Sequence, residues 1–391
     1  MTEKYIGIDS IIATVLYFIA FLRMPFISIY NDVKHVILIS VIVYCLTFFS
    51  YIEPKYKRIN IVLLMFALWT LLSAFINRNN TVSWNIFSTA IYFVSALLGI
   101  FIALEILVSR IGFSAVIDTF FKCSLFTIII EDLYIFSGLV SWQGDSTIFL
   151  LGSKFAVMYQ HLILFWLLLE STKTHAKLKK AVIPYVVYVI LIGLKVDCVT
   201  GIVGCSMFIA FLFVLRKLRS FFARPITVLI VELLAFSYVF LGFFIMSNEH
   251  VVNFIDTYMG GSGTMMARVG IYATAFPLVL MSPILGYGYG STYEIGMQIA
   301  GFSNTQNSLY EWIWYAGVPA ALLICVIILT VFGYIKRRYD ENGHLDIFVM
   351  ALFYVYVLLG AVEILMELPF FSILAMILIS SDEVELNEKV E

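Results

Sequence analysis

Three basic residues lie beside other polar groups at the ends of predicted helices, where they could bind an anion. Lys154 precedes an apolar segment, and Lys195 stands two residues before Asp197. Arg268 follows the glycine-rich stretch 260–264, which favours a helix start. A helix N-terminus and a guanidinium both bind phosphate oxygens, through exposed amides, the positive dipole end and a fork of donors. The cations therefore favour a phosphorylated substrate, although an interfacial arginine could instead contact lipid phosphates.

Four side chains could take a proton from a substrate hydroxyl. His161 follows Lys154 by seven residues. This spacing puts it on the same helical face, about 10 Å deeper. The other candidates are Asp197, Glu294 and His250. The sequence does not choose among the four.

Membrane helices are the elements that must position these residues. Of the 391 residues, 62% are apolar or aromatic and only 13% are charged, too few charges to cover a soluble domain of this length. Long apolar stretches recur along the whole chain. Each is long enough to cross a hydrocarbon core of ~30 Å as a helix.

The sequence predicts an all-α polytopic membrane protein that forms a single integral membrane domain over residues 1–391. Twelve transmembrane helices are predicted near 5–29, 34–52, 59–76, 85–108, 122–140, 155–170, 181–196, 199–215, 226–246, 309–335, 346–361 and 368–380. The last two could form one broken hairpin. The segment 110–122 is amphipathic and is expected to lie along the inner surface.

The distribution of basic residues gives the orientation. Fourteen of the 24 lysines and arginines fall in four loops, 53–58, 171–180, 216–224 and 336–344. Twelve spans put all four loops on one side, as the positive-inside rule requires of cytoplasmic loops. We therefore expect a multi-pass protein of the bacterial cytoplasmic membrane with both termini in the cytoplasm.

One long interruption, 247–308, then falls outside the cytoplasm between the ninth and tenth spans. It holds nine glycines within 260–301 and an apolar stretch, Ile271–Leu285, that contains Pro277 and Pro283. The two prolines argue against a clean span. A helix that lies in the interface or dips part-way into the membrane is expected here.

Acidic residues inside the membrane are costly to bury without partners. Such residues are Glu131–Asp132 in the fifth span and Glu363 with Glu367 near the last hairpin. They could pair with Arg23 or Lys122, or they could line a groove that admits the substrate.

The stretch from Arg268 to Gly317 resembles the O-antigen polymerase and O-antigen ligase superfamily. That family has an arginine in a large outer loop, an apolar helix, a Gly-x-Gly turn after a proline, and a His-Asn pair that opens the next span. Arg268 matches the arginine, and 282–290 (Ser-Pro-Ile-Leu-Gly-Tyr-Gly-Tyr-Gly) matches the turn. Residues 304–309 (Asn-Thr-Gln-Asn-Ser-Leu) stand in place of the His-Asn segment, and Ala316–Val318 carries the following glycine.

Two positions depart from the family pattern. Gln306 replaces the histidine and cannot take up a proton at neutral pH. The second arginine of many ligases is replaced by Val199, so Lys195 or Lys154 is expected to supply the second cation. Both departures favour a polymerase over a ligase.

The resemblance implies a Wzy-type polysaccharide polymerase. Such a glycosyltransferase joins oligosaccharide repeats carried on undecaprenyl diphosphate at the outer face of the cytoplasmic membrane. A hydroxyl of one repeat attacks the anomeric carbon of another, and the lipid diphosphate leaves. The product is O-antigen, capsule or another surface polysaccharide. The resemblance also implies membrane lipid, a flippase and a chain-length regulator as partners. No metal, cofactor, nucleotide donor or nucleic acid is expected.

On this interpretation Arg268 stabilises the charge of the leaving diphosphate, with help from Lys154 and Lys195. Gln306 and Asn307 orient the acceptor or a phosphate oxygen. The predicted catalytic residues are Arg268, Gln306, Asn307 and His161, and the predicted substrate-binding residues are Lys154, Lys195, Asp197, Tyr287, Tyr289 and Glu294.

Two alternatives remain open from the sequence. One is a ligase of the same superfamily, which transfers the finished polymer to another acceptor. The other is a flippase or transporter for lipid-linked sugars. Against a transporter stand the long glycine-rich loop and the lack of two matching halves, since transporters commonly place broken helices near the midplane of both halves.

Overall fold

The structure is a computed structural model that describes residues 2–22, 28–143, 146–246, 248–251, 253, 257 and 262–382. Within these residues the chain is helical, apart from a short antiparallel pair of strands, β1 and β2. The elements are α1 (Thr2–Phe21), α2 (Ser28–Thr47), α3 (Lys57–Ile76), α4 (Ile86–Ile111), α5 (Phe113–Ser137), β1 (Ser141–Gln143), β2 (Ser146–Ile148), α6 (Lys154–Thr174), α7 (Lys179–Lys195), α8 (Val199–Phe222), α9 (Pro225–Met246), α10 (Ser262–Met281), α11 (Thr292–Ala300), α12 (Ser308–Asn342), α13 (Ile347–Leu359) and α14 (Leu368–Ser380).

Six of the described helices are long and apolar enough to cross a membrane, which confirms the predicted helical membrane architecture at this level. They are α3 with the turn before it (Pro54–Ile76), α4, α5, α6, α8 and α12. Six shorter apolar helical segments accompany them: Gly7–Phe21, Val33–Thr47, Pro225–Phe240, Ala267–Met281, Ile347–Leu359 and Leu368–Ser380.

The prediction of a separate surface helix over 110–122 is wrong. Gly112, with φ of +83°, ends α4, and α5 then runs without a break from Phe113 to Ser137. The chain turns at this single glycine because a positive φ is readily adopted only without a Cβ. No proline or glycine follows within α5, so the amphipathic residues become its first turns.

Helix α10 continues through Pro277 and ends at Met281. It packs along α9, where the Tyr272 ring meets Tyr238 and the Phe276 ring meets Phe240. A proline inside a helix leaves one carbonyl without its partner, and packing against neighbouring helices lets membrane helices tolerate this.

The last two helices, α13 and α14, form a buried hairpin. Each has 13 residues, and almost every side chain of both is buried inside the protein. Thirteen residues reach only ~20 Å at 1.5 Å per residue, less than the ~30 Å hydrocarbon thickness. Irregular backbone at membrane depth is tolerated where it is buried or lines a cavity. The connecting segment 360–367, the hairpin tip, satisfies this condition because it lines a cavity.

The end of the hairpin opposite its tip is held by Asp382, a fully buried carboxylate just after α14. It accepts hydrogen bonds from the hydroxyls of Tyr56 and Tyr334, the latter at 2.9 Å, and lies 3.0 Å from the Lys55 ammonium. These contacts join the hairpin to the start of α3 and to α12, so the tip is supported from a fixed base.

Candidate functional site

A cavity of about 360 Å³ lies at the end of the bundle where α6 begins. It is lined mainly by the first turns of α6, the loop before α12 and the hairpin tip. Polar residues in its lining include Ser153, Tyr159, Gln160, Asn304, Gln306 and Glu363.

Three helix N-termini converge on this cavity. Ser153 caps α6 by accepting a hydrogen bond from the Ala156 amide, and both residues line the space. Gln306 lines it directly before the cap of α12, and Glu367 and Pro369 line it where α14 begins. The N-terminal ends of helix dipoles favour negative charge, so the arrangement suits an anionic group.

Ser308 fixes the hairpin tip beside the start of α12. Its amide donates to the Gly360 carbonyl at 2.8 Å, and its hydroxyl donates to the Glu363 carbonyl at 2.7 Å. The same hydroxyl accepts from the Leu365 amide at 2.7 Å. Irregular backbone groups inside the bundle are thereby satisfied, and Glu363 is held in one position.

Helix α12 is sharply kinked at Ala316 and Gly317, where Gly317 has φ of +75° and ψ of 178°. The kink separates a short first segment, 308–315, from the long remainder and leaves several carbonyls without helical partners. The Ala316 carbonyl accepts from the Trp69 indole at 2.8 Å, and the Tyr315 carbonyl accepts from the Ser73 hydroxyl at 3.0 Å.

The Gly-x-Gly turn supplies the remaining donors at this kink. The amides of Tyr287 and Gly288 donate to the carbonyls of Trp314 and Tyr315 at 2.8 and 2.9 Å. A Cβ on Gly286 would lie 2.4 Å from the Trp314 carbonyl oxygen, so only glycine allows this approach. The turn therefore aligns the first segment of α12, and with it the loop that carries Gln306.

Arg268 lies beside the cavity and uses few of its donors. One terminal nitrogen, Nη2, lies 3.3 Å from Glu363 Oε1, and the side chain is only 14% exposed. Its Nε is buried and has no hydrogen-bond partner among the described residues. Buried donors are nearly always paired, and a guanidinium carries five of them. Arg268 reaches the cavity lining through Glu363, and its free donor is suited to an anion that approaches this pair.

Glu363 is one of the two carboxylates of the hairpin tip, with Glu367, and lies in the connection between α13 and α14. Burial raises its pKa to about 7, and the nearby charges of Arg268 and then Lys154 oppose this rise. A carboxyl group with this pKa exists in both protonation states near neutral pH.

Lys154 and Asp197 meet at the start of α6. The Lys154 ammonium donates to the Asp197 carbonyl at 2.6 Å and lies 3.5 Å from its carboxylate, which is largely exposed. Asp197 has a φ of +53°, in the left-handed region that costs a non-glycine residue energy. The structure brings these two predicted site residues together, at the same end of the bundle as Arg268.

Gln306 lines the cavity in a strained backbone conformation. Its φ is +54°, and among the described residues only Asp197 and Gln306 are non-glycines with positive φ. Asn304 Oδ1 holds it by accepting from its amide at 3.0 Å and from its side-chain Nε2 at 2.7 Å. Strained residues of this kind occur preferentially at functional sites.

Asn307 has a structural position next to the cavity. Its Oδ1 accepts from the Tyr310 amide and caps α12, while its Nδ2 donates to the carbonyls of Ala235 and Ala361. Both ends of its side chain are therefore occupied, and it joins α9, α12 and the hairpin tip.

His161 and Lys195 are not brought to the cavity. The His161 side chain is 0% exposed, with Nδ1 3.1 Å from the Tyr185 hydroxyl and Nε2 3.3 Å from Asp132 Oδ1. Its ring faces the α5–α7 side of α6. Lys195 is exposed at the last residue of α7.

The predicted substrate-binding residues of the large loop instead pack against neighbouring helices and connections. The Tyr287 hydroxyl donates to the Leu278 carbonyl, and the Tyr289 ring stacks on Phe93 with centroids 4.6 Å apart. Glu294 accepts hydrogen bonds from two backbone amides, those of Val82 at 2.6 Å and Ser83 at 3.0 Å. These bonds lower the pKa of Glu294, and they tie the α3–α4 connection to α11.

Four lining residues were not predicted as site residues, namely Ser153, Tyr159, Gln160 and Asn304. Glu363 was predicted only as one of two alternatives, a groove lining or a buried ion pair. Glu363 and Glu367 carried the one usable signal, acidic residues within an apolar region. Their suggested partner Lys122 instead pairs with Asp118 at 2.7 Å, and Arg23 lies outside the described residues.

No metal ligand set is found in the described part of the chain, where no three histidine, cysteine, aspartate or glutamate side chains cluster suitably. Comparison of the sequence with known protein families and with curated proteins gave no match.

Proposed function

We propose that this chain is a polysaccharide polymerase that joins oligosaccharide repeats carried on undecaprenyl diphosphate, at the outer face of the bacterial cytoplasmic membrane. The observation that carries the proposal is Arg268, a largely buried guanidinium with an unpartnered Nε beside a polar cavity. A buried cation with spare donors is suited to bind a diphosphate. The resemblance of 268–317 to the polymerase superfamily supports the same substrate class.

The proposed topology has twelve membrane segments with both termini in the cytoplasm. In this topology the hairpin of α13 and α14 enters the membrane from the cytoplasmic side and returns to it. The C-terminus therefore stays in the cytoplasm. The positive-inside rule puts the four basic loops in the cytoplasm and the start of α6 outside. The cavity is then recessed from the outer face.

The size and polarity of the cavity suit part of a lipid-linked sugar. Its volume of about 360 Å³ lies at the lower end of the ~300–1,000 Å³ range of small-molecule sites. Its lining combines apolar side chains such as Phe155 and Ile163 with the amide groups of Asn304 and Gln306. Such a lining can bind a sugar by hydrogen bonds while the polymer extends outside.

In the proposed reaction, a hydroxyl of the acceptor repeat attacks the anomeric carbon of the donor chain. The bond from that carbon to the diphosphate oxygen breaks, and the electron pair stays on the diphosphate. Arg268, with the Lys154 ammonium and the three helix N-termini, stabilises the charge that develops there. The Gln306 side chain, fixed by Asn304, lies where it can orient the acceptor hydroxyl.

The test is the length of surface polysaccharide in a deletion strain that carries wild-type protein or Arg268→Ala. We expect wild type to restore a ladder of lengths, and Arg268→Ala to reduce polymer about 100-fold or more, as for loss of one transition-state donor. Arg78→Ala is the matched control, because Arg78 is exposed in the α3–α4 connection and lies outside the cavity lining. Its ladder should match wild type.

The fate of the single repeats in the deletion strain separates the alternatives. Lipid-linked single repeats that are accessible from outside are expected for a polymerase. Their accumulation on the cytoplasmic face would indicate a flippase, and long polymer that stays on its lipid carrier would indicate a ligase. Membrane abundance of each variant must be measured alongside.

A further inference from the structure

We propose that Glu363 is the general base that takes the proton from the acceptor hydroxyl, with Arg268 as its resting partner until a diphosphate binds. This inference rests on the proposed polymerase function and adds the residue that the sequence could not choose. It assigns a catalytic role to the tip of the α13–α14 hairpin.

The geometry of Glu363 fits this role. Its side chain is 13% exposed and lines the cavity, and Oε1 lies 3.3 Å from the Arg268 guanidinium. Among the described residues no hydrogen bond to Oε2 is found, and Oε2 is not a buried unpaired atom. One carboxylate oxygen is therefore held by the arginine, and the other can reach a hydroxyl in the cavity.

The titratable groups around Glu363 leave it as an effective proton acceptor. They come from α10, from α6, from the α7–α8 break and from the tip itself: Arg268, Tyr272, Lys154, Tyr159, Cys198 and Glu367. The two cations lower the pKa of Glu363 while burial raises it to about 7. A base is most useful when its pKa lies near the working pH.

The other candidate bases are less suited by position. His161 is fully buried with both ring nitrogens near partners, and it does not line the cavity. Both carboxylate oxygens of Glu294 accept hydrogen bonds from backbone amides. Asp197 is largely exposed beside Lys154 and is not part of the lining.

Binding of the diphosphate to Arg268 changes the pKa of Glu363. A diphosphate that draws the Arg268 donors weakens the interaction that lowers the pKa of Glu363, and its negative charge raises that pKa further. The carboxylate then becomes a stronger base when the donor is in place. As the new glycosidic bond forms, the hydroxyl proton moves to Glu363 Oε2, and from there to the departing diphosphate or to water.

The test uses full-length purified protein in lipid nanodiscs and the lipid-linked repeats extracted from the deletion strain. The polymerisation rate is measured from pH 5.5 to 9. For wild type we expect kcat/KM to rise with pH through about 7, because the base of the free protein must lose its proton to act. The rise of kcat should lie at a higher pH, because the bound diphosphate raises the pKa of Glu363. Glu363→Gln should lower the rate at least ~100-fold and abolish this rise, whereas Glu363→Asp should keep some activity with a shifted profile.

Two further variants separate a base from a structural carboxylate. In Arg268→Gln, the residual activity should rise at a higher pH than in wild type, because the main cation that lowers the pKa of Glu363 is gone. Glu249→Gln, at an exposed residue outside the cavity lining, should behave as wild type. Binding of the lipid-linked repeat should survive Glu363→Gln and weaken in Arg268→Gln.

The outcomes keep the two proposals distinct. If wild-type protein forms no polymer from these repeats, the proposed function fails. If wild type polymerises and Glu363→Gln retains its rate and pH profile, the general-base inference is overturned and the function stands. Loss of activity in Glu367→Gln with retention in Glu363→Gln would move the role to Glu367.

Discussion

At the scale of single residues, the candidate site contains a strained backbone conformation and an unpaired buried hydrogen-bond donor. Gln306 has a left-handed backbone, and Arg268 keeps a buried donor without a partner in the described part of the chain. Each feature costs free energy in the absence of a ligand. Such costs are expected where the ligand supplies the missing interaction.

A double-mutant cycle tests the role of the Asn304–Gln306 bond. If Asn304 acts by fixing the Gln306 side chain, Asn304→Ala and Gln306→Ala should each lower the polymerisation rate about fivefold, the equivalent of ~1 kcal/mol for one hydrogen bond. The double variant should then be no slower than either single variant. Additive losses would mean that the two residues act independently.

At the scale of elements, the motif 282–290 acts mainly through architecture. The Gly-x-Gly turn and the α12 kink satisfy each other's backbone groups, and Ser308 joins the start of α12 to the hairpin tip. The turn thus positions the loop that holds Gln306. The residues that touch the cavity come largely from α6, that loop and the hairpin.

Gly317→Ala tests this architecture. A Cβ there would lie 2.0 Å from the Ile284 carbonyl oxygen, and the backbone conformation is one that essentially only glycine adopts. The strain alone costs about 1–3 kcal/mol. We expect a lower melting temperature in detergent together with loss of polymerisation.

Gly333→Ala is the matched control for that change, since it lies in the same helix and its added Cβ would meet nothing within 4 Å. Its melting temperature should stay near that of wild type. Equal melting temperatures for the two variants would contradict the account of the kink.

At the scale of the whole molecule, a short hairpin enclosed by longer helices carries the acidic tip into the bundle. The base of the hairpin is fixed at Asp382, and the four basic loops are expected on that side. The proposed topology therefore has a cytoplasmic base and a cavity that is reached from outside.

Cysteine labelling tests that topology. In intact cells a membrane-impermeant maleimide should label Asn80→Cys, in the exposed α3–α4 connection, but not Asn342→Cys at the end of α12. After permeabilisation both should react, because residue 342 is also exposed. Labelling of Asn342→Cys in intact cells would reverse the proposed orientation.

Much of the helical framework could be predicted from the sequence because long apolar runs are a local property. Helix α4 begins and ends near its predicted span, whereas α12 begins within one residue of its predicted start and runs seven residues past its predicted end. The sequence could not distinguish the short α13–α14 hairpin from two full spans, since a buried helix of 13 residues and a spanning helix are both continuously apolar. The helix lengths and the burial of both helices in the structure distinguish the two arrangements.

The candidate site was predicted in part. Arg268, Gln306 and Lys154 were selected by their types and neighbours, and they lie at or beside the cavity. The Arg268–Glu363 pair joins positions 95 residues apart, which no local pattern encodes. His161 was selected by helical spacing, but spacing does not say which neighbouring helix that face meets.

The most direct test of the central claim is to incubate the purified wild-type protein with lipid-linked single repeats and analyse the products by mass. A polymerase should form lipid-linked products of two and more repeats and release one undecaprenyl diphosphate for each bond made. Repeats that cross the bilayer without growing in length, or that remain unchanged beside an active control polymerase, would contradict the account.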